Sequence, residues 1–353
     1  MEPLDELIRL IQPADKEFQD KAWERLRSQI RPRGSLGELE AMAARLAGIY
    51  RTLSPDLSRK LIFTMAGDHG IALEGVSAYP QEVTAQMVYS FIQGWASINV
   101  LARHVGAEVR VVDCGVAADL PADWPILHRK IGKGTRNISR EAAMTREMAV
   151  CGLLLGADLV RQAYRNEGFR IFGTGDMGIG NTTPSTAIVA AFSGKPVAEL
   201  TGRGTGIDDA TLEQKIRLIG QALEVNRPNP DDALDVLHKV GGYEIAGLAG
   251  ALLGAASVRA PLICDGFIAT AGALVACRLA PHARDYLLIS HQSAEVGHQT
   301  MIELLDTAPI LDLGMRLGEG TGAALAMNIV EASAKVLVEI KTFAEAGVTD
   351  TGC

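Results

Sequence analysis

The sequence predicts an α/β protein with a doubly wound, mostly parallel, Rossmann-like sheet of about six strands, and three observations carry that reading. Short β-rich runs recur between residues 61 and 313, and each ends in a glycine, an aspartate or a Ser-His pair. Most are separated by alanine-rich stretches long enough for crossover helices, which parallel neighbours require. Glycine accounts for 37 of 353 residues while aromatics make up 5%, a balance that suits many tight strand-to-helix turns.

In chain order, residues 1–12 carry acidic side chains and no signal-peptide pattern. Amphipathic helices are expected over 15–28 and 35–50, broken by Pro32 and Gly34, with Ser35 and Glu38 at capping-box spacing. The six expected strands follow. Residues 61–66 end in Gly67-Asp68-His69-Gly70, 109–112 in Asp113-Cys114-Gly115, and 170–172 in Gly173-Thr174-Gly175. Residues 261–264 end in Asp265-Gly266, 286–289 in Ser290-His291, and 309–313 in Gly314. The segment 226–232 reads as a loop, 323–330 as a helix, and 332–346 as a further helix stopped by Gly347. Three regions are expected: N-terminal helices over 1–58, a nucleotide-binding α/β domain over 59–325, and a C-terminal helix over 326–353. The two chain ends would together form a small helical domain. Ligands in such sheets bind beyond the carboxyl ends of the strands, where all these polar turns lie.

With 48% hydrophobic residues, 22% charged residues and a net charge of -8, the chain can bury a large core. It also lacks the basic balance that nucleic acid or an anionic membrane would demand. No uncharged apolar run of about 18 residues occurs, and a cytoplasmic protein is expected. Cys114, Cys151, Cys264, Cys277 and Cys353 are odd in number and widely spaced, so they read as reduced thiols rather than a disulfide framework or a zinc site. The histidines lack HExxH spacing, and His291 and His298 have no evident third ligand, so no metal is expected.

Several turns carry candidate chemistry. In 311–322, LDLGMRLGEGTG, an apolar run in which Ile310, Leu311 and Leu313 suit a buried strand empties into glycines around a single carboxylate, Glu319. At the lip of a sheet and near a helix start, that carboxylate is either a general base or a cap, and pattern alone favours the cap. Residues 172–184, FGTGDMGIGNTTP, form a phosphate-cradle candidate. Gly173, Gly175 and Gly178 spell GxGxxG with Glu199 downstream, which leaves a nicotinamide-dependent oxidoreductase open. Against it stand the donors Asn181, Thr182 and Thr183 and the negative charge of Asp176. A second glycine turn, 201–209, precedes Lys215, which could neutralise one phosphate; Arg203 rivals it, and a solvated helix face is equally open for Lys215. Asp68 and His69 are adjacent, which favours a role in holding their loop over an acid/base dyad. Tyr79 and Met87 offer a wall for a flat heterocycle or belong to the core. The run 290–298, SHQSAEVGH, presents Ser293 as a donor, but there is no GxSxG elbow for a hydrolase.

Taken together, GDHGIALEGVSAYPQEVTAQMV, GDMGIGNTTPS, GRGTGIDD, GGYEIAGLAGALLGAA, DGFIATAGA, SHQSAEVGH and LDLGMRLGEGTGAALAM resemble the nicotinate-nucleotide:dimethylbenzimidazole phosphoribosyltransferase family, in the family's order and over nearly the whole chain. The resemblance implies transfer of 5-phosphoribose from nicotinate mononucleotide to a benzimidazole nitrogen with inversion, giving an α-ribazole phosphate and nicotinate in cobalamin nucleotide-loop assembly. It implies Glu319 as the base and places Gly178, Asn181, Gly204, Lys215 and Ser293 around the phosphate and ribose. Tyr79, Met87 and Leu317 would wall the acceptor pocket, and no cofactor is required. Asp176 is expected to be catalytic with Glu319; it stands where family members commonly carry Glu, and a side chain one methylene shorter would contact the ribose or the acceptor differently. The acceptor position varies in the family, so a purine or a phenolic acceptor is an alternative to dimethylbenzimidazole. A homodimer is implied, or a heterodimer with a paralogue; a non-catalytic partner subunit is the remaining alternative, and the presence of Glu319 opposes it.

Overall fold

The computed structural model describes residues 2–349; Cys353 lies outside the described residues. Among these, seven strands form one sheet: β1 (Lys60–Gly67), β2 (Ala107–Gly115), β3 (Leu127–His128), β4 (Ile171–Met177), β5 (Leu262–Cys264), β6 (Leu287–His291) and β7 (Pro309–Leu311). Their order is β3-β2-β1-β4-β5-β6-β7, and every pairing is parallel. The chain winds outward from β1 through β2 to β3, then returns to lay β4 on the other side of β1. The switch point of this doubly wound sheet therefore lies between β1 and β4, where a ligand crevice forms.

Side-chain alternation on β1 shows why both faces are covered. Leu61, Phe63 and Met65 join one buried cluster, Ile62 and Ala66 another, as a strand buried on both sides requires. On the first face the helices Arg146–Glu167 and Tyr243–Ser257 approach so closely that a Cβ on Gly156 would lie 1.9 Å from the Gly247 carbonyl oxygen. Helices Ser97–Val105 and Thr321–Glu339 cover the second.

Four expectations for the sheet and the helix before it are corrected. The sheet has a seventh strand, β3, a two-residue edge too short to leave a β-rich run. β4 does not stop at Gly173 but carries both Gly173 and Gly175 to Met177. At the other edge β7 is only half-buried and Leu313 is 59% exposed, so the expected buried run is a short edge strand. Ser35 caps nothing: the helix Glu38–Tyr50 starts at Gly37 without a side-chain cap, because Glu40 takes the Leu36 amide and an ion pair with Arg31 at 2.5 Å.

Helices from both chain ends meet. Ala22, Leu26, Ala43, Ala44, Ala47 and Leu337 form a separate apolar cluster, and Gln29 bridges to Thr342. The two C-terminal helices expected at 323–330 and 332–346 are instead one continuous helix, Thr321–Glu339, followed by a short one, Phe343–Ala346. Thr321–Glu339 is long and apolar enough to cross a membrane, but its apolar side is used by Ala323, Ala326, Met327 and Val330 against the sheet. A helix Glu2–Arg9 precedes those expected, burying Leu4 and Leu7.

Candidate active site

A cleft of about 500 Å³ opens over the carboxyl ends of the strands, at the switch point. Tyr79, Met87, Asp176, Gly178, Asn181, Gly204, Ser293, Leu317 and Glu319 all line it, so segments far apart in sequence converge there. Tyr79 and Leu317 are 54% and 56% exposed and form part of its rim, while Phe267, Ile268 and Met177 supply apolar wall deeper in.

Glu319 owes its position to backbone geometry. Its φ is 64°, a left-handed conformation that costs a non-glycine residue about 1–2 kcal/mol, so the surroundings must hold it. Thr64 Oγ1 donates to its carbonyl oxygen at 2.8 Å, and its amide donates to the Asp176 carbonyl at 3.2 Å. The glycines of β4 make this contact feasible: a Cβ on Gly175 would sit 2.1 Å from the Glu319 carbonyl oxygen. Its side-chain Oε2 accepts the Ile98 amide at 3.1 Å, so Glu319 is a cap, but of the helix Ser97–Val105 rather than of the helix that follows it. Oε1 has no hydrogen-bond partner among the described residues. Burial raises the proton affinity of this carboxylate, the Ile98 amide opposes that, and the charge of Asp265 adds to it.

Asp176 is buried beside it. Its Oδ2 accepts from Asn181 Nδ2 at 2.8 Å, and Oδ1 is buried without a partner. Burial first, then the neighbouring Asp265, push its carboxyl well above the usual range, which favours a neutral acid at pH 7.

The same cleft holds a cradle for an anion. Gly178 leaves β4 so close to β1 that a Cβ would be 2.2 Å from the Gly67 carbonyl oxygen, and the turn runs into the helix Thr182–Ser193. Lys215 does not line the cleft surface but lies just beneath it, 1% exposed, so the solvated-face reading of Lys215 is overturned. Its Nζ donates to Thr182 Oγ1 at 2.7 Å and to the Gly202 carbonyl at 3.4 Å, tying the two glycine turns together. Gly204, at φ 50°, leaves Nζ 3.5 Å from where its Cβ would be. Burial depresses the ammonium to about 8 despite the nearby Glu295. Arg203, the rival cation, is half-exposed and paired with Asp209.

The oxidoreductase and hydrolase readings fail on geometry. The first two glycines of GxGxxG lie inside β4, and Gly173 packs against Ile62, Met327 and Ala323, so they do not form a pyrophosphate turn; Glu199 is exposed. The hydrolase reading lacks its dyad. His298 Nδ1 accepts the Ser293 amide at 2.9 Å, so Nε2 carries the proton and faces Thr270 Oγ1 at 2.9 Å, and burial lowers the ring to about 3. Asp68 and His69 hold the loop separately: Asp68 Oδ2 accepts the Ala117 amide at 2.8 Å and His69 Nε2 pairs with Glu244 at 2.8 Å.

Sequence reasoning missed the partners. Glu244 sits within the quoted GGYEIAG motif and Asp265 at a strand end, yet only the fold reveals that one faces His69 and the other the Glu319 turn. Asp265 accepts the amides of Gly320 at 2.9 Å, Gly322 at 2.8 Å and Ala323 at 3.2 Å. Arg316 Nη1 donates to the Gly204 carbonyl at 2.7 Å, and Ala78 donates to Thr205 Oγ1 at 3.0 Å; both contacts close the rim. A strand-end carboxylate was the available signal for Asp265; nothing local marked Arg316.

A base-like carboxylate sharing one cleft with an anion cradle is the layout of a group-transfer site, and comparison with known proteins agrees. A family model described as a phosphoribosyltransferase matches residues 11–348. The chain belongs to this phosphoribosyltransferase family. The transferase is 70% identical over 352 residues to the nicotinate-nucleotide–dimethylbenzimidazole phosphoribosyltransferase of Syntrophobacter fumaroxidans, covering 100% of both chains. It is 56% identical to the protein of that name from Geobacter sulfurreducens, over 98% of each. A crystal structure of CobT from Thermus thermophilus superposes with a TM-score of 0.90 at 44% identity, covering 94% of this transferase and 99% of that chain.

Proposed function

We propose that the enzyme moves the 5-phosphoribosyl group of nicotinate mononucleotide to dimethylbenzimidazole with inversion, giving α-ribazole 5'-phosphate and nicotinate for cobalamin nucleotide-loop assembly. The observation that carries this reading is the single cleft in which Glu319 is presented on a held, left-handed turn while Lys215 and two glycine turns form an anion cradle. The phosphate would lie against the Gly178 and Gly204 turns, Asn181, Ser293 and Lys215, which bind by amides and one charge. The acceptor would lie against Tyr79, Met87 and Leu317. Its ring nitrogen attacks C1' as the C1'–pyridinium nitrogen bond breaks; the bonding pair leaves with nicotinate, and the acceptor's N–H proton passes to Glu319. A carboxylate whose proton affinity is raised by burial suits that transfer. Asp176, kept protonated beside it, would offer a hydrogen bond to the reacting pair without adding a second negative charge.

Incubation with nicotinate mononucleotide and a panel of dimethylbenzimidazole, other benzimidazoles, adenine and phenols, followed by mass analysis, tests donor and acceptor together. The expected result is nicotinate release matched by α-ribazole phosphate. Absence of any glycoside product with every acceptor would overturn the proposal.

We also propose that the helices of the two chain ends form one small helical unit beside the sheet, supported by the cluster of Ala22, Leu26, Ala43, Ala44, Ala47 and Leu337. Homodimerisation is supported by exposed Trp95 and Tyr89, and light scattering tests it. A cytoplasmic location is supported by unpaired Cys114, Cys151, Cys264 and Cys277.

A further inference from the structure

Asp265 follows β5, is 0% exposed, and lines no part of the cleft, yet its side chain is spent entirely on the turn that carries Glu319. Oδ2 takes the Gly320 amide, and Oδ1 takes those of Gly322 and Ala323. These are amides at the start of the helix Thr321–Glu339, which has no side-chain cap of its own from Gly320. One carboxylate therefore satisfies three otherwise orphaned donors immediately after the strained residue. The local sequence is shaped to this contact. Ser290 Oγ donates to the Asp265 carbonyl at 3.0 Å, and Gly322 is bare where a Cβ would lie 2.1 Å from His291 Cδ2. Without these tethers Glu319 has every reason to relax from its left-handed conformation.

We infer that Asp265 is a positioning residue: by gathering three backbone amides it holds the left-handed turn that presents Glu319 to the acceptor. The inference rests on the reading of Glu319 as the base. It makes Asp265 act through Glu319, never on substrate directly.

Charge gives a second signature. Glu319 is faced by Asp265, by Asp176 from β4 and by the Ile98 amide. Asp265 in turn is faced by His291 Nε2 at 3.9 Å from β6, by Asp176 and by Cys264, while Asp176 also meets Glu244. Like charge from Asp265 disfavours ionisation of Glu319. Removing it lowers the pH at which Glu319 becomes a base, so the acid limb of kcat moves to lower pH.

The test is Asp265→Asn, which keeps the shape but turns one oxygen into a donor aimed at an amide. Displacing a catalytic group by about 1 Å costs about 100-fold, so a loss of about 10- to 100-fold in kcat is expected, with KM for nicotinate mononucleotide unchanged and the acid limb moved down. The double variant Asp265→Asn/Glu319→Gln should be no slower than Glu319→Gln alone. Additive losses in the double variant overturn the proposal, as does a raised KM with normal kcat. Near-normal turnover in Glu319→Gln overturns the base reading instead, so the two failures are distinct. If Asp265→Asn does not fold, Thr64→Val loosens the same turn from its other tether; it should reproduce the kcat-only loss, and an unchanged kcat there overturns the proposal.

Discussion

Glu319 and Lys215 show how little a residue's type says before its surroundings are known. A glutamate near a helix start reads as a cap more readily than as a base, and it turns out to cap a helix other than its own with one oxygen while the other is left to the cleft. Glu319→Gln keeps the Ile98 contact through its amide oxygen but cannot take a proton. Turnover should fall at least about a hundredfold, the range for loss of a general base, while calorimetric binding of nicotinate mononucleotide is retained. In the native enzyme the acid limb of kcat should lie above the ordinary glutamate range, because burial favours the neutral form and only the carboxylate is active. Lys215 reads equally well as a surface lysine, because its helix pattern carries no sign that two glycine turns fold over it. Being depressed to about 8, it is charged below that pH, so nucleotide affinity of the free enzyme should weaken as pH rises through about 8. Lys215→Ala should abolish this trend and raise the dissociation constant, with kcat at saturation changed less.

At the scale of elements, glycines set the distances. Gly175→Ala would drive a methyl into the Glu319 carbonyl oxygen 2.1 Å away, so kcat should collapse along with stability. Gly156→Ala makes an equally close approach, 1.9 Å to the Gly247 carbonyl oxygen, but between two helices remote from the cleft. It should cost about 1–3 kcal/mol by overpacking and leave kcat of the folded fraction intact, as melting curves read against specific activity would show. A Gly175→Ala enzyme with normal kcat would detach the turn from the chemistry. The same glycines explain what the sequence could reveal. Strand ends announced themselves because Gly67, Asp113 and Asp265 interrupt apolar runs, so six strands and the crevice beyond them were legible. β3 was not, since two residues pairing with Val112 and Asp113 leave no periodicity. The glycines of β4 looked like a loop because glycine is a poor strand former; only the neighbouring turn, distant by more than 140 positions, explains why nothing larger fits. The partners of Asp265 and Arg316 were hidden for the same reason, being set by topology alone.

For the whole molecule, burying several ionisable groups under one cleft links stability to pH. Burial holds Asp68, Asp176 and Glu319 above their usual carboxylate ranges and raises Asp265 from 3.8 to about 6. His69 is pushed down by burial but lifted further by Glu244, so it too ends above 6.5. For each acid the native state holds a proton that the unfolded chain has released, over the window between the unfolded value and the raised native one. Stability therefore falls as pH climbs through that window. His69 contributes fully below 6.5 and loses its contribution as pH rises through its higher native value, which works in the same direction. Carboxylates held low by cations, such as Glu345 with Arg25 at about 2, weaken the fold only in stronger acid. His298, held by burial at about 3, works the other way below its unfolded 6.5, so the melting temperature of the free enzyme should decline from about pH 6.5 to about pH 8, opposite to the slope that salt-bridged carboxylates produce. Asp176→Asn, which cannot ionise, should flatten the decline and raise the midpoint at pH 8, even as it disturbs turnover. Scanning calorimetry at fixed ionic strength across that range checks both, and a melting temperature that climbs toward pH 8 would mean that the carboxylates under the cleft are ionised in the folded enzyme, removing the basis for a neutral Asp176 beside Glu319.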